Sequence, residues 1–399
     1  LPQDIHRDEL YLAWDFTVAS ERSLAGRLLH IRDDAFATLG ETVNILPGQA
    51  GYEMGQAPTI TVDSNTNPSN PRIARRIEGT ITVPSYIMPS DPSPLEGGEF
   101  NELFNRLRED YPAALAELYN QCRSFAGDLR DICLPFDPDA PEFGRAVSAP
   151  PNRFFYKPTD ATDSPSVFGD GLPDRAGPQA TMTRKYICNI PNSAFISPAR
   201  PSLYGHGLLG SRGEVNSGHV ADMADAHNMM FCAVDWFGFS EGDIASIVAI
   251  LLDVSNLPSL TDSSQQGMLN MMFLARAMKH PEGFAAQPAF QDGDGQALFT
   301  TNEVYYDGNS QGGIMGGAVV AVSRDVNRGV LGVPGMNYST LLRRSVDFDI
   351  YSIPLNLAYH DDLDRSLVFS LMEMLWERAE NNGYAHHMGT ASSANTPYP

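Results

Sequence analysis

The sequence predicts an α/β protein whose mostly parallel sheet carries helices on both faces. From about residue 181 onward, short β-prone runs alternate with helical patterns, which is typical of strands joined by crossover helices. Within that stretch, the glycine-rich turn 308–313 follows a β-prone run and precedes a small, apolar segment suited to a helix packed closely on a sheet. We therefore predict an α/β core over 181–399, after a β-rich region (1–95) and a helical insertion or cap with an irregular connector (96–180).

The first 180 residues are expected to contribute few regular elements. The predicted elements are strands at 10–18, 59–62 and 79–84 and helices at 21–39 and 99–122. A Pro-, Asp- and Gly-rich stretch over 135–178 is typical of a connector. The role of this whole region is not indicated by its sequence.

The core is expected to follow a regular strand–helix order. Strands are predicted at 184–190, 201–205, 229–235, 303–307 and 328–333, and helices at 214–227, 241–253, 263–279, 312–323 and 364–382. The helix at 364–382 has apolar residues on one face, including Leu367, Leu371 and Met374.

Composition excludes several classes of partner and cofactor. The 399 residues carry a net charge of −22, and so acidic a surface repels nucleic acid and anionic membranes. No apolar run approaches the roughly 20 residues that span a bilayer. There is no His/Cys cluster with zinc spacing, and Asp292–Gly295 is interpreted as an acidic turn, so we predict no metal and no cofactor. The start at Leu1, with no signal sequence, suggests processing or a longer precursor.

The four cysteines allow three pairings, and four buried thiols are the alternative. We favour the local pairing of Cys122 with Cys133 and of Cys188 with Cys232, the latter between two predicted strands. Disulfide bonds form in oxidising compartments, so this pairing predicts a secreted, periplasmic or cell-surface protein.

The pattern Gly-x-Ser-x-Gly occurs twice, at Gly308–Gly312 and at Gly238–Gly242. Only the first follows a β-prone run and precedes a helical one, which is the context of a nucleophile elbow. An earlier turn, His206-Gly207-Leu208, follows another short strand. Together with Ser310-Gln311-Gly312-Gly313, it resembles the His-Gly-Leu loop and Ser-Gln-Gly-Gly elbow of bacterial secreted lipases, which belong to the α/β-hydrolases.

This resemblance covers about 181–399 and implies serine-dependent acyl transfer. Ser310 would be the nucleophile, and the backbone N–H groups of Leu208 and Gln311 would form the oxyanion hole. The segment 235–240 resembles the loop after the fourth strand of these enzymes. In these enzymes the oxyanion loop follows the third strand and the nucleophile follows the fifth, so Ser240 comes one crossover too early and is interpreted as structural. His206 lies where the fold needs a particular backbone geometry, so it is not interpreted as the base.

The general base and its acid are not evident in the sequence. The order in this fold is serine, then Asp or Glu, then histidine. With the nucleophile after the fifth strand of the fold, 328–333 would be the sixth, and no seventh or eighth strand is visible after it. His360, His386 and His387 follow no predicted strand. We expect the acid and base to lie outside this chain, in an absent segment or on a second chain from the same precursor. If they do not, His387 is the first candidate for the base.

The resulting functional prediction is a lipase- or esterase-like serine hydrolase acting on a small-molecule or lipid-like ester. A peptidase or amidase of the same fold is the nearest alternative, since the elbow does not distinguish esters from amides. A non-catalytic binding protein that has lost the triad is the other alternative.

Overall fold

A computed structural model describes residues 19–88, 152–156, 171–175, 177 and 180–388, together with the isolated positions 109, 112, 113, 116 and 120. The predicted strand at 10–18, most of the predicted helix at 99–122 and the Cys122–Cys133 pair lie outside the described residues. The proposed domain boundaries therefore stay a prediction.

One sheet of seven strands organises the described residues. The strands are β1 (Ile60–Thr66), β2 (Ile73–Pro84), β3 (Thr181–Pro191), β4 (Arg200–Gly205), β5 (Met229–Val234), β6 (Val304–Asn309) and β7 (Val326–Gly332). Their order across the sheet is β1-β2-β3-β5-β4-β6-β7. The α/β class is confirmed, but the sheet is mixed instead of mostly parallel. The reason is that β1, β2, β3 and β5 join antiparallel, whereas β5, β4, β6 and β7 run parallel.

Eight α-helices accompany the sheet in the described residues. They are α1 (Arg27–Ala37), α2 (Gly218–Ala226), α3 (Ile244–Leu252), α4 (Leu257–Lys279), α5 (Gln311–Val322), α6 (Tyr338–Leu342), α7 (Asp349–Ala358) and α8 (Asp362–Trp376). The helix predicted at 364–382 ends earlier than expected, because 3₁₀ turns replace it after Trp376. No helix had been predicted at α6 or α7, which are short, and α7 contains an internal proline, Pro354.

The helices cover the two faces of the sheet unequally. On one face, Val220 of α2 packs in an apolar cluster with Phe231 of β5. On the other face, α1, α4 and α5 bury the larger core. Strand alternation explains the division, because neighbouring residues of β5 such as Phe231 and Cys232 enter different clusters. Of the helices on this second face, α5 follows the predicted elbow and packs on β4 and β6.

The predicted disulfide bond between Cys188 and Cys232 is present. These residues are direct register partners on the antiparallel strands β3 and β5, and their Cα atoms are 4.1 Å apart. The bond therefore joins β3, which is antiparallel to β2, to β5, where the parallel half of the sheet begins.

None of the helices in the described part of the chain has the length and hydropathy required to cross a bilayer.

The face of α8 that carries Leu367, Leu371 and Met374 is exposed, while Phe369, Met372 and Trp376 point into the core. The apolar stripe seen in the sequence therefore lies on the solvent side of this helix.

Candidate active site

Ser310 forms the whole connection between β6 and α5. The strand ends at Asn309 and the helix begins at Gln311. Ser310 has φ 55° and ψ −115°, a conformation that residues with a Cβ rarely adopt. Its N–H donates to the carbonyl oxygen of Gly332 on β7, at 2.9 Å. The chain therefore turns sharply at a single strained serine, as the sequence pattern predicted.

Two glycines allow this turn because the backbone passes other backbone at very short range. A Cβ placed on Gly312 would lie 2.0 Å from the carbonyl oxygen of Gly205 at the end of β4. A Cβ on Gly308 would lie 2.5 Å from the carbonyl oxygen of Gly312. The N-terminal turn of α5 can thus sit directly on the ends of β4 and β6 only with glycine at these positions. This contact brings Ser310 next to the loop that follows β4.

A carboxylate braces that loop, which we define as residues 206–210. Glu214 accepts a hydrogen bond from the Gly207 N–H at 2.8 Å through Oε2, and one from the Tyr204 hydroxyl at 3.0 Å through Oε1. A Cβ placed on Gly207 would lie 3.9 Å from the Cβ of Ser310. The side chain of Glu214 therefore fixes the backbone of the loop at the point where it passes Ser310.

His206 is part of the same support and is fully buried. Its Nε2 accepts from the Trp236 N–H at 2.9 Å, and its Nδ1 lies 2.8 Å from the Gly207 carbonyl oxygen. Because a carbonyl only accepts, Nδ1 carries the proton and the ring is neutral. Burial lowers the pKa of His206, which maintains this neutral form. The ring links two loops, and both of its nitrogens are engaged.

The two backbone N–H groups predicted for the oxyanion hole belong to the residue after Ser310 and to the loop 206–210. Gln311 is the first residue of α5, where a helix leaves its N–H groups without intrahelical partners. Leu208 follows the braced Gly207. In the part of the chain that the structure describes, neither N–H makes a hydrogen bond. No other described residue therefore engages either group, as an oxyanion donor requires.

Ser240, in the second Gly-x-Ser-x-Gly match, has a different role. Its Oγ donates to Asp243 Oδ2 at 2.7 Å, and its backbone N–H donates to the same oxygen at 2.9 Å. The bond from the Ser240 N–H is one half of a capping box at the start of a short 3₁₀ turn, and the other half runs from the Asp243 N–H to the Ser240 side chain. The hydroxyl of Ser240 is thus engaged in holding a turn, whereas Ser310 stands at a strained elbow.

The described residues contain every histidine except His6, and in them no hydrogen bond joins Ser310 to a histidine. His360 is exposed and directs Nδ1 toward the carbonyl oxygen of Asn356, at 3.3 Å. His387 is buried, and its Nε2 lies 3.5 Å from a carboxylate oxygen of Glu21. The structure therefore pairs His387, the fallback candidate for the base, with Glu21.

A cavity with an apolar lining adjoins the loop 206–210. The side chains that define it include Leu208, Leu209, Phe239, Leu260, Tyr338 and Trp376. Tyr338 stacks on Trp376 with ring centroids 4.3 Å apart, and its hydroxyl donates to Oε1 of Gln311. One wall of the cavity is thus bonded to the residue that follows Ser310. The sequence had indicated neither this cavity nor Glu214, because their partners come together only in the folded chain.

The fold and the site define an α/β protein with a serine at a strained strand–helix elbow, beside a braced loop and an apolar cavity. No family model and no curated protein matches the chain. Acetyl xylan esterase 1 from Thermoanaerobacterium sp. JW/SL YS485 is similar over 49% of this chain and 59% of its own, with 17% identity and a TM-score of 0.32. S-formylglutathione hydrolase (FrmB) from Staphylococcus aureus is similar over 48% and 80%, with 12% identity and a TM-score of 0.25.

The chain therefore spans less than two thirds of the length of the acetyl xylan esterase. At these identities and TM-scores, neither likeness identifies a reaction or a substrate for this protein.

Proposed function

We propose that the protein is a serine hydrolase that cleaves carboxylic esters, with Ser310 as the nucleophile. The observation that carries this proposal is the position of Ser310, at positive φ between β6 and α5 and beside the loop 206–210. Strained backbone persists where the surrounding structure maintains it, and it is concentrated at functional sites. The available N–H groups of Leu208 and Gln311 supply the second requirement, two donors for an oxyanion.

In the proposed reaction, the Ser310 Oγ adds to the acyl carbon while its proton passes to a general base. The carbonyl oxygen becomes an alkoxide, held by the N–H groups of Leu208 and Gln311. The C–O bond to the leaving alcohol then breaks, and the base returns the proton to that alcohol. Water adds to the acyl-enzyme by the same route, which releases the carboxylic acid and restores the Ser310 hydroxyl.

The apolar cavity supports a substrate with an apolar acyl group. Leu208 belongs both to the cavity lining and to the proposed oxyanion hole. An ester whose carbonyl oxygen binds in the oxyanion hole would therefore have its acyl chain next to the cavity. Each buried CH₂ group contributes about 0.8 kcal/mol, or roughly a fourfold gain in affinity. With p-nitrophenyl esters of increasing acyl length, kcat/KM should rise until the cavity is filled and then fall. A maximum at acetate would contradict this assignment of the cavity.

We propose that the general base and acid are supplied by a further polypeptide segment that docks on β7. Among the described strands, β7 has a neighbour only on its β6 side. Val330 and Val333 on and just after this strand are 64% and 80% exposed. The Gly332 carbonyl oxygen binds the Ser310 N–H, so this edge lies next to the nucleophile. A strand added in parallel would end at the same side of the sheet as Ser310.

Peptide mapping and intact mass of an active preparation test this second proposal. We expect the activity to depend on polypeptide other than residues 1–399, and we expect that material to contain the histidine. Full activity in a preparation that contains residues 1–399 alone would contradict the docking proposal and require a base within this chain. It would leave the assignment of Ser310 intact.

Labelling with a fluorophosphonate tests the assignment of the nucleophile. The active preparation should be modified at Ser310, and Ser310→Ala should abolish both labelling and ester hydrolysis. Ser240→Ala is the matched control, since it removes the serine of the other Gly-x-Ser-x-Gly match. Labelling that survives in Ser310→Ala would rule out our nucleophile.

The same preparation distinguishes the remaining functional classes. Faster hydrolysis of amides than of matched esters would favour a peptidase or amidase. An unreactive Ser310 in the complete preparation would favour a binding protein. The Cys188–Cys232 bond supports our proposal that the protein works in an oxidising compartment, whether secreted, periplasmic or at the cell surface.

A further inference from the structure

Three potential metal ligands meet where two distant parts of the chain come together. They are Glu21, which lies just before the helical segment that leads into α1, and the neighbouring residues His386 and His387. Their ligand atoms all lie within 4.8 Å of one another. We propose that Glu21, His386 and His387 form a binding site for a divalent transition-metal ion such as Zn²⁺. This proposal is independent of the proposed esterase function.

The distances fit a small ion held by side chains. With Zn²⁺ bonds of about 2.0–2.1 Å in tetrahedral geometry, two ligand atoms are separated by about 3.4 Å. The Glu21 carboxylate oxygen and His387 Nε2 are 3.5 Å apart. The rings of His386 and His387 have centroids 4.2 Å apart. Glu21 and His386 are exposed, so small rotations of their side chains can close the remaining separations.

The donor set favours zinc over the hard cations. Two imidazoles and one carboxylate suit Zn²⁺, whereas Ca²⁺ and Mg²⁺ prefer all-oxygen sites. His387 is almost fully buried and supplies a rigid ligand, while the exposed side leaves room for water as a fourth ligand. The sequence showed no zinc spacing because Glu21 and the histidines lie near opposite ends of the chain.

A bound ion would join the segment before α1 to the 3₁₀ turn Asn381–His387. That turn packs on the helix after Ser310: a Cβ placed on Gly317 would lie 2.6 Å from Asn381 Cβ and 3.1 Å from the end of Met388. The metal would therefore tie the segment before α1 to a turn that is packed on α5. We expect binding to appear as stabilisation of the fold.

Calorimetric titration of the chelator-treated full chain with ZnSO₄ tests the site. Residues 1–399 should bind one Zn²⁺ per chain, and CoCl₂ should give the d–d absorption of a nitrogen- and oxygen-ligated ion. Glu21→Gln and His386→Asn should each weaken Zn²⁺ binding at least tenfold. Both positions are exposed, so these variants are expected to fold normally. His360→Asn, at another exposed histidine, is the matched control and should bind Zn²⁺ like the wild type.

Thermal unfolding provides a second readout that does not depend on activity. Zn²⁺ at a hundred times the wild-type Kd should raise the Tm of the wild type and of His360→Asn by a few degrees, and should raise the Tm of Glu21→Gln by about half as much or less. The absence of saturable Zn²⁺ binding would overturn the proposal. Binding of equal affinity in the wild type, Glu21→Gln and His386→Asn would overturn it as well.

Discussion

At the scale of single residues, Glu214 shows how a side chain outside the reacting atoms can set the geometry of the site. Its two carboxylate oxygens accept from the Gly207 N–H and the Tyr204 hydroxyl, seven and ten residues earlier in the chain. Glu214→Gln retains the shape but can accept only one of these bonds, because an amide NH₂ then faces the other donor. The loop 206–210 should therefore lose its fixed position beside Ser310.

We expect Glu214→Gln to lower kcat for esters by about ten- to a hundredfold, since removing an oxyanion donor costs about 2.7–4 kcal/mol and a misplaced donor loses part of that. KM should change little, because the apolar cavity is intact. Steady-state kinetics, with Tm as a check on folding, measures both effects. Glu282→Gln, at an exposed glutamate, is the control. An equal loss of kcat in this control, or a loss explained by unfolding, would remove Glu214 as a positioning residue.

The residues of the candidate site differ in how well sequence predicts them. The elbow at Ser310 and the loop after β4 were visible because backbone constraints demand glycine within a few residues of a strand end. The brace by Glu214, the bridge from His206 to Trp236 and the pairing of His387 with Glu21 were not visible. Each of these depends on a contact of a side chain, with backbone or with another side chain, that forms only after the chain has folded.

At the scale of elements, the contact between α5 and β4 can be tested at Gly312. Alanine has a higher helix propensity than glycine, by about 1 kcal/mol. Its Cβ, however, would lie 2.0 Å from the Gly205 carbonyl oxygen, and backbone on both sides must then move apart. Overpacking of this kind costs about 1–3 kcal/mol or more, so the clash outweighs the propensity.

Urea unfolding should therefore show Gly312→Ala destabilised by about 2 kcal/mol, with reduced labelling of Ser310. Gly293→Ala is the control, because a Cβ there meets no atom within 4 Å. If Gly312→Ala proved as stable as Gly293→Ala, the close approach of α5 to β4 would be wrong.

The sequence predicted the elements that have a clear hydrophobic periodicity. It did not predict the features that depend on contacts between elements. All seven described strands and the helices α1, α2, α3, α4, α5 and α8 correspond to predicted segments, apart from shifts at their ends. The short helices α6 and α7 were missed, since α6 has five residues and α7 contains Pro354. The mixed pairing of the sheet was also missed, because strand direction depends on long-range contacts that a local pattern does not encode.

At the scale of the whole molecule, the Cys188–Cys232 bond links the antiparallel and parallel halves of the sheet. It closes a loop of 44 residues, and in chain-entropy terms such a link stabilises the fold by about 2–4 kcal/mol. The double variant Cys188→Ser/Cys232→Ser should lose this amount in urea unfolding and should become insensitive to dithiothreitol at this site. A double variant as stable as the oxidised wild type would contradict the predicted contribution.

The dependence of folding on pH should reflect Glu380, a fully buried carboxyl near the C-terminal end of the described chain. Burial, followed by the charge of the neighbouring Glu373, raises its pKa to about 9. Between its unfolded pKa of about 4.5 and this value, the folded state binds a proton that the unfolded state releases, so stability falls as pH rises.

Glu380→Gln removes this dependence of stability on pH. Urea unfolding should show the variant more stable than the wild type at pH 8, by up to about 5 kcal/mol, and not at pH 4.5. Glu53→Gln, at an exposed site, should follow the wild type at both pH values. A gain of Glu380→Gln that is the same at pH 4.5 and pH 8 would show that the carboxyl is not protonated in the fold.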